Sequence, residues 1–265
     1  MINVELRHES PRGISFKIHK SVKFEWPESW DELSDDQYFK VVQELEKGNN
    51  ADVSQINLFF IISGCSKWFI RSRMKPDEMK IQLIDQLVIP FLENRSFSHG
   101  ILKNSFSGFV GASDYFSNFT WAQYALVDHY FTRYVTGETD LLDSICALIY
   151  IPKKAQFDNK KADDFLRFWS EKEDYKKRAI LLHFAELKKT VATMYPNLFP
   201  NKKPELLTPA ELLKSSKANN TIDYQAATIA LSGGPFGNRK DVDNEPVHNI
   251  LKFLDMKAQE KTKKK

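Results

Sequence analysis

The feature that most constrains the fold is a long segment with the apolar periodicity of an amphipathic helix. From about residue 171 to residue 194, apolar side chains recur every three or four positions, and lysines lie between them. This spacing returns side chains to one face of an α-helix, which can pack on a core while the other face meets water. Pro196 and Pro200 predict where the helix ends. The apolar stripe consists of Ile180, Phe184, Leu187, Val191 and Met194.

Shorter segments carry further helix signals. Ser34 precedes Gln37 by three residues, which is the spacing of a capping box, so a helix is predicted from Ser34 to about Lys47. Pro76 is expected to open another helix, and Pro90 to kink it near its end. The remaining predicted helices cover residues 52–64, 118–135, 141–150, 208–217 and 222–231, with a terminal helix from about residue 244.

Two segments depart from this helical pattern. Residues 14–24 alternate apolar and basic side chains, a period of two that predicts an N-terminal strand or hairpin. Residues 97–117 are rich in glycine, serine and asparagine, which is typical of a short hairpin or an irregular loop. The predicted fold is therefore mainly α-helical, with a small N-terminal β element and a short central hairpin or irregular loop.

The same pattern predicts how the chain divides. Prolines and polar residues between two helical regions indicate a linker, and the lysine-rich last residues are expected to be a disordered basic tail. The predicted parts are a β element at 1–25, a main helical domain at 26–196, a linker at 197–207, a C-terminal helical subdomain at 208–256 and the tail at 257–265.

Composition narrows the setting in which the chain works. Hydrophobic residues make up 42% of the 265 residues and aromatic residues 13%, enough for a sizeable core. A net charge of +3 provides no global basic field that would demand nucleic acid or an anionic membrane. The chain has two cysteines, Cys65 and Cys146, and no charged-then-apolar leader. We therefore expect a reducing compartment, the cytoplasm or a particle assembled there.

Two Glu-x-x-His pairs offer the spacing of a helical-bundle metal site. They are Glu5 with His8 and Glu245 with His248. A di-iron bundle needs such motifs on two core helices with two further inward carboxylates. Here the first pair lies on an expected strand and the second in the first turn of the terminal helix. An enzyme with a metal site remains a competing hypothesis, but coincidence among 35 acidic residues explains the pairs better.

The other reactive residue types show no catalytic pattern either. His129 and His183 lie beside aromatic residues on predicted helices, where a histidine usually packs at a helix seam. Neither cysteine has a histidine next to it in sequence. The segment "SGGPFGNRK", residues 232–240, lacks the ending of a phosphate-binding loop and predicts a tight turn between helices. We therefore expect a protein without enzymatic activity, metal or cofactor.

Aromatic residues next to irregular segments are the candidate contact residues, because loops carry function more often than regular elements do. Trp26 and Trp30 precede a predicted helix start. At this place they either cover the core or contact a partner, and covering the core is the favoured interpretation. The full set of predicted partner-binding residues is Trp26, Trp30, Tyr115, Phe116, Trp121 and Phe236.

Three stretches, residues 26–45, 111–153 and 224–255, together resemble poorly characterised virion and tail-assembly proteins of Bacteroidota phages and prophages. Those proteins have a Trp-x-x-Leu-Ser/Thr-x-x-Gln motif and then a Gly-x-x-Asp-x-x-x-Asn-x-Thr-x-x-Gln core. Where the family continues with a Leu-Tyr-Arg-Pro-like segment, this chain has residues 149–152, Ile-Tyr-Ile-Pro, so no role of that arginine carries over. The core motif falls on Gly111, Asp114, Asn118, Thr120 and Gln123.

The resemblance implies a non-enzymatic structural or tail-assembly protein, and it implies no catalytic residues. Its partners would be other virion or tail-assembly proteins, such as a long coiled-coil tape-measure protein held by a chaperone, and a homo-oligomer is open. Its location would be the host cytoplasm during assembly, or the virion if it stays there. The alternative is a nucleic-acid-binding accessory protein that uses the basic strand and the lysine-rich C-terminal tail.

Overall fold

The structure, a computed structural model, describes residues 2–9, 19–47, 51–66, 80–93, 97, 99–200 and 224–263. Its chain is mainly helical and divides into two compact units, Met1–Ser96 and Phe97–Lys265. The mainly α-helical fold predicted from the sequence is confirmed. The boundary between the units lies inside the predicted main domain, 26–196, and the predicted division of the chain remains a prediction.

Unit 1 combines a two-stranded sheet with helices. Strand β1 (Ile2–Glu9) pairs antiparallel with β2 (His19–Trp26), with Ile2 opposite Trp26. A 3₁₀ turn follows at Trp30–Glu32. The helices are α1 (Asp35–Glu46), α2 (Ala51–Ser63), and a π-helical segment (Lys80–Val88) that continues as α3 (Ile89–Glu93).

Local sequence explains where helix α1 begins. The Ser34 hydroxyl accepts a hydrogen bond from the Gln37 backbone N–H, and the Gln37 side chain accepts one from the Ser34 N–H at 3.0 Å. This capping box, predicted from the sequence, pairs two backbone donors that the first turn leaves open. The amide of Gln37 also donates to the Ile62 carbonyl at 2.8 Å, so the same residue ties the start of α1 to the end of α2.

The predicted kink at Pro90 coincides with a change of helix type. The π-helical turns end at Val88 and α3 begins at Ile89, one residue before the proline. Because proline has no backbone N–H and its ring crowds the preceding turn, the helix cannot continue here with unchanged hydrogen bonding. The predicted start of this helix at Pro76 lies outside the described residues.

Unit 2 is a helical body with one short sheet. Strand β3 (Phe109–Val110) pairs antiparallel with β4 (Ile151–Pro152). The central segment, predicted as a short hairpin or an irregular loop, therefore pairs with a strand that is distant in sequence and not with its own neighbour. Three further 3₁₀ turns lie at Asp114–Phe116, Thr139–Leu141 and Asp163–Phe165. The helices are α4 (Trp121–Val135), α5 (Leu142–Ile149), α6 (Asn159–Ala162), α7 (Leu166–Ser170), α8 (Asp174–Met194), α9 (Tyr224–Leu231), α10 (Arg239–Asn244) and α11 (Val247–Lys263).

Helix α8 is the long amphipathic helix that the sequence predicts. Its apolar stripe is buried through Val191, as expected for a core-facing row. Met194 is the exception, because this last residue of the helix is 47% exposed. Its predicted place on the buried stripe is therefore wrong. Periodicity places a residue on a face but does not show where the neighbouring elements stop covering it.

Helix α11 also differs from its prediction, since it runs to Lys263 through most of the segment predicted as a disordered tail. Lys257 and Glu260 form an ion pair at 3.0 Å, and Lys261 and Lys263 lie in the last turn. Positive side chains at a helix C-terminus favour the helical state, because the macrodipole is negative there. The predicted helix at 208–217 and most of the predicted linker lie outside the described residues.

Candidate functional site

Four of the predicted contact residues are core residues in the structure. Trp26, Trp30, Phe116 and Trp121 are buried, so their side chains present no surface to a partner in this fold. The Trp30 indole stacks on Phe91, with ring centroids 5.4 Å apart, and donates its N–H to the Phe91 carbonyl at 2.9 Å. We therefore assign these four residues to the core.

The other buried residues of this set have equally specific partners. The Trp26 ring is stacked at 5.7 Å from Phe59 within unit 1. The Trp121 indole donates to the Thr228 hydroxyl at 2.8 Å, which joins α4 to α9. Satisfied indole N–H groups of this kind indicate structural anchors, because a buried donor without a partner is costly.

The five residues of the core motif also have structural partners. A side chain at Gly111 would meet the Tyr150 ring at 2.6 Å, so only glycine fits. Asp114 accepts the Gly100 N–H at 2.8 Å, and this bond keeps the pKa of its carboxyl below the ordinary value. The Asn118 amide donates to the Gly111 carbonyl at 2.9 Å. Thr120 caps α4, and Gln123 donates to the Leu148 carbonyl at 2.9 Å.

This motif encloses a strained turn. Tyr115 and Phe116 have φ values of 53° and 63°, in the left-handed region that bulky residues rarely adopt. The turn is held by the burial of Phe116 and by His248, whose Nε2 contacts the Tyr115 carbonyl oxygen at 2.6 Å. Because a carbonyl only accepts, Nε2 donates here, and Nδ1 accepts from the Tyr195 hydroxyl at 2.6 Å in the neutral ring.

The residue of the predicted set that remains at the surface beside other apolar groups is Phe236. It lies in the tight turn Gly234–Gly237, closed by a hydrogen bond from the Gly237 N–H to the Gly234 carbonyl. Its ring meets Phe253 of α11 edge to face, with centroids 5.3 Å apart. Met256, one turn further along α11, is 52% exposed, and the Lys257 ammonium lies 5.6 Å from the Phe253 ring centroid. We call these four residues the Phe236 surface.

A second candidate is a cleft of about 1070 Å³ along the outer face of α4. Small and apolar side chains of α4 line it, among them Ala122, Ala125 and Leu126. Charged and amide side chains from the 155–161 segment, α9 and α10 add groups of both signs. These are Gln156, Asp158, Lys161, Gln225, Arg239, Lys240, Asp243 and Asn244.

A chain of buried polar groups lies beside this cleft. Asp128 accepts a hydrogen bond from the Tyr224 hydroxyl at 2.6 Å and forms an ion pair with Lys188. The Tyr224 ring in turn meets the Tyr124 ring edge to face, with centroids 6.0 Å apart. Each oxygen of the Asp128 carboxylate thus has one partner, and these contacts join α4 to α8 and α9.

Burial, followed by the nearby Asp128 charge, raises the pKa of Tyr124 well above its ordinary value. Burial also raises the pKa of Tyr224, with Tyr124 and Asp128 as further causes. The folded state therefore holds both phenol protons more tightly than the unfolded chain does. The resulting stability is complete below the unfolded tyrosine pKa of about 10 and is lost as the pH rises above it.

We accordingly expect the free energy of unfolding, measured by urea titration, to fall steeply above about pH 10. Tyr224→Phe should make that fall shallower, because one buried phenol no longer has to ionise. Tyr130→Phe, which removes a phenol of α4, the helix of Tyr124, outside the buried network, is the matched control. A pH profile for Tyr224→Phe as steep as that of the control would contradict the assignment.

Residues weighed above as metal ligands or as functional histidines also have structural partners. Glu245 accepts from the Asn249 amide at 2.6 Å. His183 is buried and its Nε2 contacts the His99 carbonyl oxygen at 3.1 Å. Among the described residues, no group of three or more His, Cys, Asp or Glu side chains is placed to hold a metal ion. The pair Glu5 and His8 lies on β1.

Burial raises the pKa of the Cys146 thiol well above its ordinary value, which keeps it protonated at neutral pH. Cys65 is half-buried. None of the helices in the described part of the chain has both the length and the apolar composition that crossing a membrane requires.

No protein-family model, curated protein or solved structure matches the chain. Sequence reasoning found Phe236, and Lys257 as part of the basic tail, but missed Phe253 and Met256. A signal was present, since Phe253, Met256 and Lys257 have the three- and four-residue spacing of one helix face.

Proposed function

We propose that this protein is a non-enzymatic structural or tail-assembly protein of the phage type, and that it acts through protein–protein contacts. The observation that carries the proposal is the Phe236 surface, where three apolar side chains lie together at the exterior of unit 2. Aromatic residues and methionine are enriched in protein interfaces, and a half-exposed cluster gains more from a partner than scattered apolar residues do.

The geometry of the turn supports this proposal. Pro235 restricts the backbone at the second position of the Gly234–Gly237 turn, and Gly237 has a φ of 81° that glycine adopts at little cost. The backbone that carries Phe236 is therefore already ordered before a partner covers the ring. Such pre-organisation favours affinity, because less backbone entropy is lost on binding.

The resemblance of residues 26–45, 111–153 and 224–255 to phage virion and tail-assembly proteins supports the phage part of the proposal. The third of these stretches contains Phe236 and Phe253. The partners proposed are other virion or tail-assembly proteins, met in the host cytoplasm during assembly or in the finished particle.

The test is a pull-down of the tagged full chain from cells that express its native gene neighbourhood, with partners identified by mass spectrometry. The parent protein should recover virion or tail components, and the double variant Phe236→Ala, Met256→Ala should recover them at least about tenfold less well. Comparison with purified virions then separates a chaperone from a structural part.

The matched control is Tyr130→Ala, which removes a half-buried aromatic ring of unit 2 away from the Phe236 surface. It should recover partners like the parent, and circular dichroism should show all variants folded. Equal recovery of the same partners by the parent and the Phe236, Met256 double variant would contradict the proposed surface. Recovery of only metabolic enzymes would contradict the proposed function.

A further inference from the structure

We infer that the partner of the Phe236 surface is an acidic amphipathic segment of another protein. This inference rests on the proposed function, because it names the chemistry of the partner that the surface would bind. It follows from how the charges of α10 and α11 are used within the protein, together with the apolar groups that they border.

The carboxylates of this region are already engaged. Asp241 accepts the Asn238 backbone N–H at 2.9 Å, which completes a capping box. Asp255 accepts the backbone N–H groups of Asn197 and Leu198, each at 2.8 Å. The other three carboxylates face side-chain donors within the same two helices: Asp243 faces Arg239, Glu245 faces Asn249 and Glu260 faces Lys257.

The same region has more cationic side chains than its carboxylates pair with. Arg239 and Lys257 have the carboxylate partners just named, whereas the structure, within its described ranges, places no carboxylate in ion-pairing contact with four exposed lysines. These four are Lys240, Lys252, Lys261 and Lys263. Residues 239–263 hold six cationic and five anionic side chains, so the region has a small excess of positive charge, and these four lysines are open to a partner.

The three apolar side chains of the Phe236 surface require apolar groups on the partner as well as charge. Met256 is exposed on the same face of α11 as Phe253, and Phe236 extends that face from the turn. A helix that presents apolar residues three and four positions apart matches such a patch, and acidic residues on its flanks would meet the lysines. Complementary charges of this kind direct the encounter, and binding then weakens as salt is added.

A protein segment fits these contacts better than a single-stranded nucleic acid. Nucleic acids bind such surfaces by stacking bases on open aromatic faces. Here the Phe253 ring is already contacted by the Phe236 ring and by the Lys257 ammonium. The thioether of Met256 suits an apolar side chain, since methionine adapts to the shape of what it contacts.

The experiment measures fluorescence anisotropy of three labelled probes added to the full chain. The first probe is an amphipathic helical peptide with leucine on one face and glutamate on the other. The second has lysine in place of every glutamate, and the third is a single-stranded oligothymidylate. We expect the glutamate probe to bind at low salt, at least about tenfold more tightly than the lysine probe, and to dissociate as salt increases.

Charge reversal at the surface supplies the matched variants. Lys257→Glu with Lys261→Glu should weaken binding of the glutamate probe at least about tenfold and should improve binding of the lysine probe. Lys153→Glu, at an exposed lysine of unit 2 outside α10 and α11, should change neither. Circular dichroism checks that α11 remains helical in the double variant.

The outcomes separate this inference from the proposed function. Equal binding of the two peptides, or oligothymidylate displacing the glutamate probe, overturns the acidic-partner inference, and the second result would identify a nucleic acid as the ligand. If neither peptide binds while the pull-down still recovers partners that depend on Phe236, the partner chemistry is wrong and the proposed function stands. If the pull-down also fails, both are overturned.

Discussion

Trp30→Ala is expected to lower the free energy of unfolding of unit 1 by about 3–5 kcal/mol. The substitution empties a fully buried site between Phe91 and Tyr38, and it removes the indole N–H that satisfies the Phe91 carbonyl. Guanidinium or urea titration followed by circular dichroism measures the loss. Partner recovery per folded molecule should not change, because the side chain has no exposed surface.

The matched control is Trp30→Phe, which keeps an aromatic ring in the site and loses only part of the volume and the indole donor. This variant should lower the free energy of unfolding by about 1–3 kcal/mol, which is less than the alanine variant does. Most of that loss should come from the Phe91 carbonyl, which no longer accepts the indole hydrogen bond. A Trp30→Ala protein as stable as the parent that no longer recovers its partners would show that Trp30 is a contact residue, the less favoured of the two interpretations of the sequence.

Asp128→Ala is expected to lower the free energy of unfolding of unit 2 by about 3 kcal/mol or more. It leaves the ammonium of Lys188 without its carboxylate and the Tyr224 hydroxyl without its acceptor. Lys188 is only partly exposed, so water cannot fully replace the lost partner. Thermal or urea unfolding of the variant measures the effect.

The double variant Asp128→Leu, Lys188→Met replaces both members of the ion pair by apolar side chains. It therefore shows how much of the loss in Asp128→Ala comes from leaving Lys188 without a partner. Replacing a buried ion pair by apolar residues of similar volume is often close to neutral, so the double variant should recover most of the stability that Asp128→Ala loses. If Asp128→Ala costs less than about 1 kcal/mol, the buried polar chain does not hold α9 as described.

The parts of the fold that depend on nearby residues could be predicted from the sequence. The capping box of Ser34 and Gln37 and the apolar stripe of α8 are examples, because each is determined within a few residues of chain. The tight turn at Phe236 belongs with them, since proline restricts φ and glycine permits the positive φ that the turn requires.

Contacts between distant residues could not be predicted in this way. Asp128 meets Lys188 across 60 residues and Tyr224 across 96, and nothing in the sequence selects these partners among the other charged and phenolic side chains. The strand pair β3–β4 is a similar case.

The candidate site shows the same limit. Aromatic residues suit both a core and an interface, so residue type alone did not separate the buried Trp121 from the half-exposed Phe236. The difference is made by what packs around each ring, and that information lies in elements far away along the chain.

The bond between His248 and the strained turn has a consequence for the order of events during synthesis. His248 follows Tyr115 by 133 residues, and at a translation rate of about 5–20 residues per second it leaves the ribosome roughly 7–27 seconds later. During that interval the left-handed conformation at Tyr115 and Phe116, costly for each residue, lacks this hydrogen bond.

Hydrogen bonds at the start of α4 also depend on residues 245–247, which are synthesised late. The Trp121 N–H donates to the Glu245 carbonyl at 2.8 Å, and the Val247 N–H donates to the Phe119 carbonyl at 3.1 Å. The nascent protein must therefore expose this aromatic-rich turn while translation continues. Its last native contacts form only when α11 arrives, which makes the turn a segment that cellular chaperones can reach before the fold is complete.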